Sequence, residues 1–275
     1  LELWYKTSTT HSEEVEIIGN YDRSSSGGDT GGITSLLLAG SDEGSDVGKI
    51  KALGLKSTSA VHDGKWHHIA SVYNVSNMKT YLFIDGNKEA EGTISSVSNF
   101  GNANNEFHVS GGIQRVIAGP RYNAGIVNVV RVSDVPRYTA SFTPALSFSS
   151  DNNTKALWNM SEGSGTAVAD ASGNGYYLAI SGASWVTDVP TGTTSSGGNA
   201  LSFSGIDYVS IRPESNTFSG TNPFTVSVWV FGKGTNQYEQ IFSKGKSPSS
   251  GANPKSVAIF KDDNNYSFIL YTDNS

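Results

Sequence analysis

The sequence predicts an all-β chain built as a sandwich of two sheets, and three observations predict it. Apolar residues recur at period two in short runs rich in Val, Ile, Tyr, Phe and Trp, among them "HIASVYNV", "KTYLFIDG", "ALSFSGIDYVSI", "FTVSVWVF" and "NYSFILYT". Such alternation of β-branched and aromatic residues marks half-buried strands. Gly, Asn, Asp and Ser punctuate the runs, with 31 glycines in 275 residues. No stretch carries an apolar stripe at helical spacing. Many short strands with frequent turns favour a sandwich over a small barrel.

Taken in order, "LELWYK" is a strand carrying Trp4, and "VEIIG" is a second strand reached through a polar turn. A Ser/Gly loop follows, and "ITSLLLAGSDEGSDVGKIKAL" supplies two more strands. Asp63-Gly64 and Asp85-Gly86 lie between strand runs as hairpin dipeptides, because a type I′ turn needs positive φ at both central residues and Gly accepts it freely. Between them the strand after Gly64 places Trp66, His68 and Ala70 on one face and His67, Ile69 and Ser71 on the other. Adjacent histidines therefore point apart and are poor joint ligands for one ion, so they read as packed sheet residues hydrogen-bonded to a neighbouring strand. His11, His62 and His108 are scattered in turn-like sequence and suggest no site. The segment "RYTASFTPALSFSSDNNT", residues 137–154, reads as a connector, since Pro136 and Pro144 limit helix and interior-strand pairing and "SSDNNT" is polar. "TGTTSSGGN", residues 191–199, reads as a loop between later strands.

An internal repeat organises the chain. "LELWYK" matches "VSVWVF", aligning Trp4 with Trp229, a separation of 225 positions. The match continues from "VEIIGNYDRSSSGG" to "EQIFSKGKSPSSGA", and from "ITSLLLAG" onward to "KSVAIFKD" onward. A period of about that length leaves both ends of the chain inside a domain, so the chain reads as a window on a longer protein. It also opens on "LELWYK", with neither an initiator Met nor a signal peptide.

Composition narrows the functional classes. The formal net charge is -6 and no Lys/Arg cluster occurs, which argues against a nucleic-acid partner. There is no cysteine, hence no disulfide scaffold and no thiol chemistry. No run of some 18 apolar residues is present, so membrane insertion is not expected.

Several stretches together resemble a known family. "ALWNMSEGSGTAVADASGNGYYLAISGASWV", "ALSFSGIDYVSI", "FTVSVWV" and "IFSKG", then "DGKWHHIASVYN", "TYLFIDGN" and "IVNVVRVSDVPRYTASF", resemble the laminin G-like domain, a concanavalin A-like jelly-roll sandwich found in bacterial surface proteins and phage tail fibres. The resemblance covers nearly the whole chain in rotated order. It implies a laminin G-like domain over residues 1–145 lacking its N-terminal third, a linker at 146–154, and a second such domain over 155–275 lacking its C-terminal part.

Candidate site residues follow from the residues and from this resemblance. "DASGNG" offers the Asp170 carboxylate, the Asn174 amide oxygen and glycines that turn carbonyls inward, a set suited to Ca2+. In the family such a segment is completed by an acid on the last strand, where this chain has Asn128. The competing reading is a Gly-rich turn in which Asp170 accepts backbone N–H bonds. Sugars need aromatic platforms with amide and carboxylate partners, and Tyr176, Tyr177 and Tyr208, with Tyr122 and Tyr238, lie in or beside loops. Glycoside hydrolysis with retention needs carboxylates about 5 Å apart, which the family supplies as Glu-x-Asp-x-Glu on a strand. That triplet is absent, and Glu13, Glu14 and Glu16 read as a solvated turn, so no catalytic residue is assigned. Sequons at Asn74, Asn152, Asn159 and Asn265 carry no weight in an Asn/Ser-rich chain.

The resemblance thus implies a fragment of a repetitive extracellular adhesion or fibre protein, on a cell or virion surface. Its domains would bind glycans or surface proteins with calcium assistance and touch neighbouring copies of themselves. Two other readings stand beside it, a structural repeat of a filament or stalk and a non-catalytic module of a secreted hydrolase.

Overall fold

A computed structural model describes residues 1–19, 22–23, 35–93, 108–110, 113–115, 119–190, 198–213, 239–244, 256–262 and 265–271. The strands, in chain order, are β1 (Glu2–Lys6), β2 (Val15–Gly19), β3 (Asp22–Arg23), β4 (Leu36–Leu38), β5 (Lys49–Ala52), β6 (Leu55–Ala60), β7 (Trp66–Asn74), β8 (Lys79–Ile84), β9 (Asn87–Thr93), β10 (His108–Val109) and β11 (Ile113–Arg115). They continue with β12 (Gly119–Arg121), β13 (Ala124–Ser133), β14 (Thr154–Trp158), β15 (Ala167–Val168), β16 (Tyr176–Ser181), β17 (Ser184–Val186), β18 (Ala200–Ser204), β19 (Tyr208–Pro213), β20 (Glu239–Lys244), β21 (Ser256–Asp262) and β22 (Asn265–Tyr271). One short 3-10 turn, Ser41–Asp46, is the helical element among the described residues.

Two large antiparallel sheets carry the fold, as the period-two pattern predicts. The first runs β17-β18-β13-β1-β7-β8-β9 with β14 beside β13, and the second runs β15-β16-β19-β10-β2-β4-β5-β6. Their inner faces interdigitate. Leu3, Tyr5, Ile69, Leu82, Val127 and Val130 from the first meet Ile17, Ile18, Leu36, Ile50, Leu178 and Val209 from the second in one buried cluster. Each fully buried aliphatic side chain contributes about 1.5–3 kcal/mol relative to exposure. A membrane-crossing helix is absent among the described residues.

The chain divides into two units, Leu1–Asn216 and Thr217–Ser275. The boundary expected at 146–154 does not separate the sheets. β14 and β18 both pair with β13, and β19 pairs with β10, so residues 154–213 are woven into the same sandwich as residues 1–133. The physical reason is edge satisfaction: unpaired strand edges on residues 1–133 accept the first complementary strands that the chain supplies. In the second unit β20, β21 and β22 form an antiparallel meander of their own.

The expected connector is instead a strap on the outer face of the first sheet. Phe142 and Tyr138 stack on each other and pack over Ala70, Val72, Tyr81 and Phe83. Phe148 is buried with Trp4, Val129 and Leu157, while Ser149 to Asn153 stay exposed. Trp4 Nε1 donates to the Ala145 carbonyl at 3.0 Å. Gly86 is what lets the strap approach: its φ is +76°, and a Cβ there would stand 2.0 Å from the Phe142 carbonyl oxygen. Asp85 and Gly86 both have positive φ, as the type I′ hairpin joining β8 and β9 requires. Asp63-Gly64 behaves differently. Only Gly64 is at positive φ, and the turn joins β6 and β7, which belong to different sheets.

The two histidines do face apart. His67 sits between two turn carboxylates, Nδ1 at 2.8 Å from Asp85 Oδ2 and Nε2 at 3.0 Å from Asp63 Oδ1. The Asp85 hydrogen bond raises its pKa against the opposing effect of burial, with Asp63 adding to the rise. His68 is fully buried under the strap, among Trp4, Phe142 and Phe148, and its Nε2 donates to Glu2 Oε2 on β1 at 3.2 Å. Glu2 also accepts from Arg131 Nη2 at 2.7 Å and from the Tyr138 hydroxyl at 2.9 Å. Burial pushes the Glu2 carboxyl up, but the His68 hydrogen bond and the Arg131 guanidinium outweigh it and hold the pKa at about 2.

Candidate functional site

The site begins with a β-bulge. Leu3 pairs with Val130 and Tyr5 with Val127, so Trp4 alone opposes both Asn128 and Val129. A bulge of this kind turns two consecutive residues to one face. Val127 and Val130 point into the core, while Val129 packs outward against Trp4. Strand pairing leaves a seam at the same place. β14 covers Val130 to Ser133 and β18 covers Ala124 to Val127, both along one edge of β13. Asn128 lies at the gap, Asn159 directly follows β14, and Asn199 directly precedes β18.

These three asparagines line a cleft of about 240 Å³ with Ser161, Ser147, Leu146, Phe148, Val129, Val189 and Gly198. Asn128 Nδ2 donates to the Asn199 carbonyl at 2.8 Å, and Asn199 Nδ2 donates to the Ser161 carbonyl at 3.3 Å. Those bonds fix two amides as a frame. The Phe148 ring has the Arg131 guanidinium over it, 4.6 Å from the ring centroid. The cleft therefore combines amide and hydroxyl groups with an apolar, partly aromatic floor, and is smaller than the roughly 300 Å³ at which drug-sized pockets begin. It suits one ring-sized neutral polar ligand.

The residues expected to hold calcium do not all converge here. Asp170 and Asn174 share the loop before β16, and Asn128 makes its hydrogen bond in the seam. Asp170 Oδ1 accepts from the Leu157 and Ser172 amides at 3.0 and 2.9 Å, and Oδ2 accepts from the Tyr176 amide at 3.0 Å. Burial raises its pKa, but these N–H bonds dominate and lower it. Asn174 Nδ2 donates to the Thr154 and Lys155 carbonyls at 3.0 and 3.1 Å, covering oxygens that a cation would use. Among the described residues no group of three or more His, Asp or Glu side chains is placed to hold a metal. As they stand, these residues fit a backbone-capping turn better than a Ca2+ shell, which takes six to eight oxygens.

The tyrosines divide. Tyr208 stacks on Tyr122 with centroids 6.0 Å apart, and His108 meets Tyr208 edge-on at 5.6 Å. The three form an aromatic group on the outer face of the second sheet. Tyr177 is half-buried on the same strand pair as Tyr208, but it stands opposite Arg212 while Tyr208 stands opposite Ser181, a few residues along. Tyr176 is 44% exposed, and its carbonyl accepts from Trp158 Nε1. Tyr238 lies outside the described residues. Of the acids, Glu14 pairs with Lys51 at 2.5 Å and Glu16 accepts from Ser35 Oγ at 2.8 Å. Sequence reading missed Asn159 and Asn199; the signal available was an asparagine abutting each of two strand runs.

Fold and cleft together define a lectin-like β-sandwich. The chain belongs to the concanavalin A-like lectin/glucanases superfamily, whose family model matches residues 1–141, and the laminin G-like resemblance is borne out. Comparison with curated proteins gave no match. A solved structure from Bacteroides ovatus, described as a proposed carbohydrate binding protein, is similar at 15% identity with a TM-score of 0.44 over 77% of this chain. The chain spans about half of that protein, 52% of its length.

Proposed function

We propose that this domain is a non-catalytic carbohydrate-binding module that takes a single sugar residue in the seam cleft between β14 and β18. The carrying observation is the convergence of Asn128, Asn159 and Asn199 with Ser161 over the Phe148 floor. Amides offer both donors and acceptors to sugar hydroxyls, and apolar floor atoms accept the C–H face of a ring. Binding without catalysis is supported by Glu14 and Glu16, whose carboxylates are engaged by Lys51 and Ser35. A place on an extracellular, cell or virion surface, where such a module serves adhesion or fibre attachment, follows from this reading together with the repeat in the sequence.

Glycan-array screening followed by calorimetry tests it. Asn159→Ala is expected to weaken binding of the array hit about 5- to 10-fold, the equivalent of roughly 1 kcal/mol for one hydrogen bond. Thermal stability should stay unchanged, because the Asn159 side chain ties no strand. A glycan that binds the Asn159→Ala and Asn128→Ala variants at full strength would place the site elsewhere, with the Tyr122–Tyr208 face the next candidate.

A further inference from the structure

Trp66 is a half-buried indole at the border of the seam cleft. It opens β7 and stands opposite Lys6 on β1, on the outer face of the first sheet. Its ring packs against the cluster of Trp4, Val129, Phe148 and Leu157, beside Leu146, and keeps part of its surface in water. Val129, Leu146 and Phe148 also line the cleft, so indole and cleft share one apolar wall. Asp188 joins them from the other side. It directly precedes Val189, another lining residue, and its carboxylate accepts from Trp66 Nε1 at 2.9 Å through Oδ1 and from Lys6 Nζ at 2.6 Å through Oδ2. The Lys6 bond holds the Asp188 carboxyl below its ordinary pKa, with the Trp66 bond adding to the shift.

An ion pair this exposed, with side chains 26% and 42% accessible, adds little to stability. What the three residues supply is a ring held in a fixed plane, bordered by a carboxylate and an ammonium. Both charged groups retain hydrogen-bonding capacity, since a carboxylate has about four acceptor sites and an ammonium three donors. Such a ring takes the C–H face of a pyranose while the polar border takes its hydroxyls. Among the described residues the cleft lining carries no charged side chain, and the charges of Lys6 and Asp188 cancel, so the combined surface favours a neutral ligand.

We propose that Trp66, Asp188 and Lys6 form a second sugar subsite contiguous with the seam cleft, so that the ligand is a neutral oligosaccharide with one residue in the cleft and the next stacked on Trp66. This rests on the reading of the cleft as a sugar site. Linking the two residues places the second at high effective concentration over the indole, so affinity rises with chain length without any change in the cleft.

Calorimetry on the full chain tests this with glucose, mannose, galactose and N-acetylglucosamine, each beside its β-1,4-linked dimer. In the series that binds, the dimer is expected to bind about 3- to 10-fold tighter than the monosaccharide, the equivalent of one aromatic contact. Trp66→Ala should bring that ratio close to one, and Trp66→Phe should keep part of it. Asp188→Ala, at an exposed position, should lower the ratio too and serves where Trp66→Ala fails to fold. Asn159→Ala should weaken both sugars and leave the ratio intact. Failure of every one of these sugars to bind overturns the two-part site. A dimer no tighter than its monosaccharide, or a ratio that survives both Trp66→Ala and Asp188→Ala, also overturns it, while monosaccharide binding that responds to Asn159→Ala keeps the cleft. Binding of both sugars that ignores Asn159→Ala sinks the cleft reading, and the two-part site with it.

Discussion

The outer faces of the two large sheets are built from the same alternating pattern and end in opposite conditions. On the first sheet the outward residues Glu2, Trp4, His68, Ala70 and Phe83 lie under the strap, and a carboxylate, a guanidinium, an imidazole and a phenol are sealed together there. On the second sheet the outward residues His108, Tyr208 and Tyr122 remain partly open. The difference teaches that a strand's alternation assigns faces, while the fate of the outer face depends on what distant chain lies across it.

The largest expected effect comes from breaking the sealed side. Glu2→Ala leaves Arg131 and His68 without their carboxylate, and removal of one partner from a buried ion pair costs about 3–5 kcal/mol; urea unfolding should show a lower midpoint. The same carboxyl sharpens the comparison through pH. Its folded pKa of about 2 lies below the unfolded value, so its contribution is present above roughly pH 4.3 and is lost as pH falls toward the folded value. The Glu2→Ala variant should lack that part of the acid transition.

Gly86→Ala tests the strap itself. The new Cβ meets the Phe142 carbonyl at positive φ, at a cost of about 1–3 kcal/mol, and hydrogen exchange should rise first at the Phe142 amide, which donates to the Gly86 carbonyl.

A smaller effect is expected from His67, which neighbours His68 on β7 but points to the opposite face and is held by Asp63 and Asp85. Its folded pKa is raised, chiefly by Asp85, so its stabilising contribution is full below about pH 6.5 and is lost as pH rises through the folded value. Thermal melts across that window should show a decline that His67→Ala removes; an unchanged pH profile in the variant would rule the clamp out. The smallest change belongs to the open face, where Tyr208→Ala should cost about 0.5–1.5 kcal/mol of aromatic contact, read from the same melts.

Much of this was legible before any coordinates. The strands, the Asp85-Gly86 hairpin and the opposed faces of His67 and His68 follow from period-two alternation and from the steric freedom of glycine, both of which act within a few residues. The seam was not legible. Asn128 was visible only as a departure from a family pattern, and its outward turn arises from the bulge against β1, more than a hundred residues away. Asn159 looked like a chance sequon, and nothing local distinguishes it from the other asparagines. The strap was hidden because Tyr138, Phe142 and Phe148 lie between prolines and polar runs, where composition suggests a linker.

Local chemistry thus dictated the all-β class, the turn positions and the internal repeat, because strand propensity, side-chain alternation and positive-φ tolerance are properties of neighbouring residues. Only the tertiary structure decided that residues 154–213 close the sandwich begun by residues 1–133, which face the strap covers, and where three asparagines meet. Those outcomes depend on edge pairing and burial between segments far apart in the chain, and many pairings share the same local pattern until packing selects one of them.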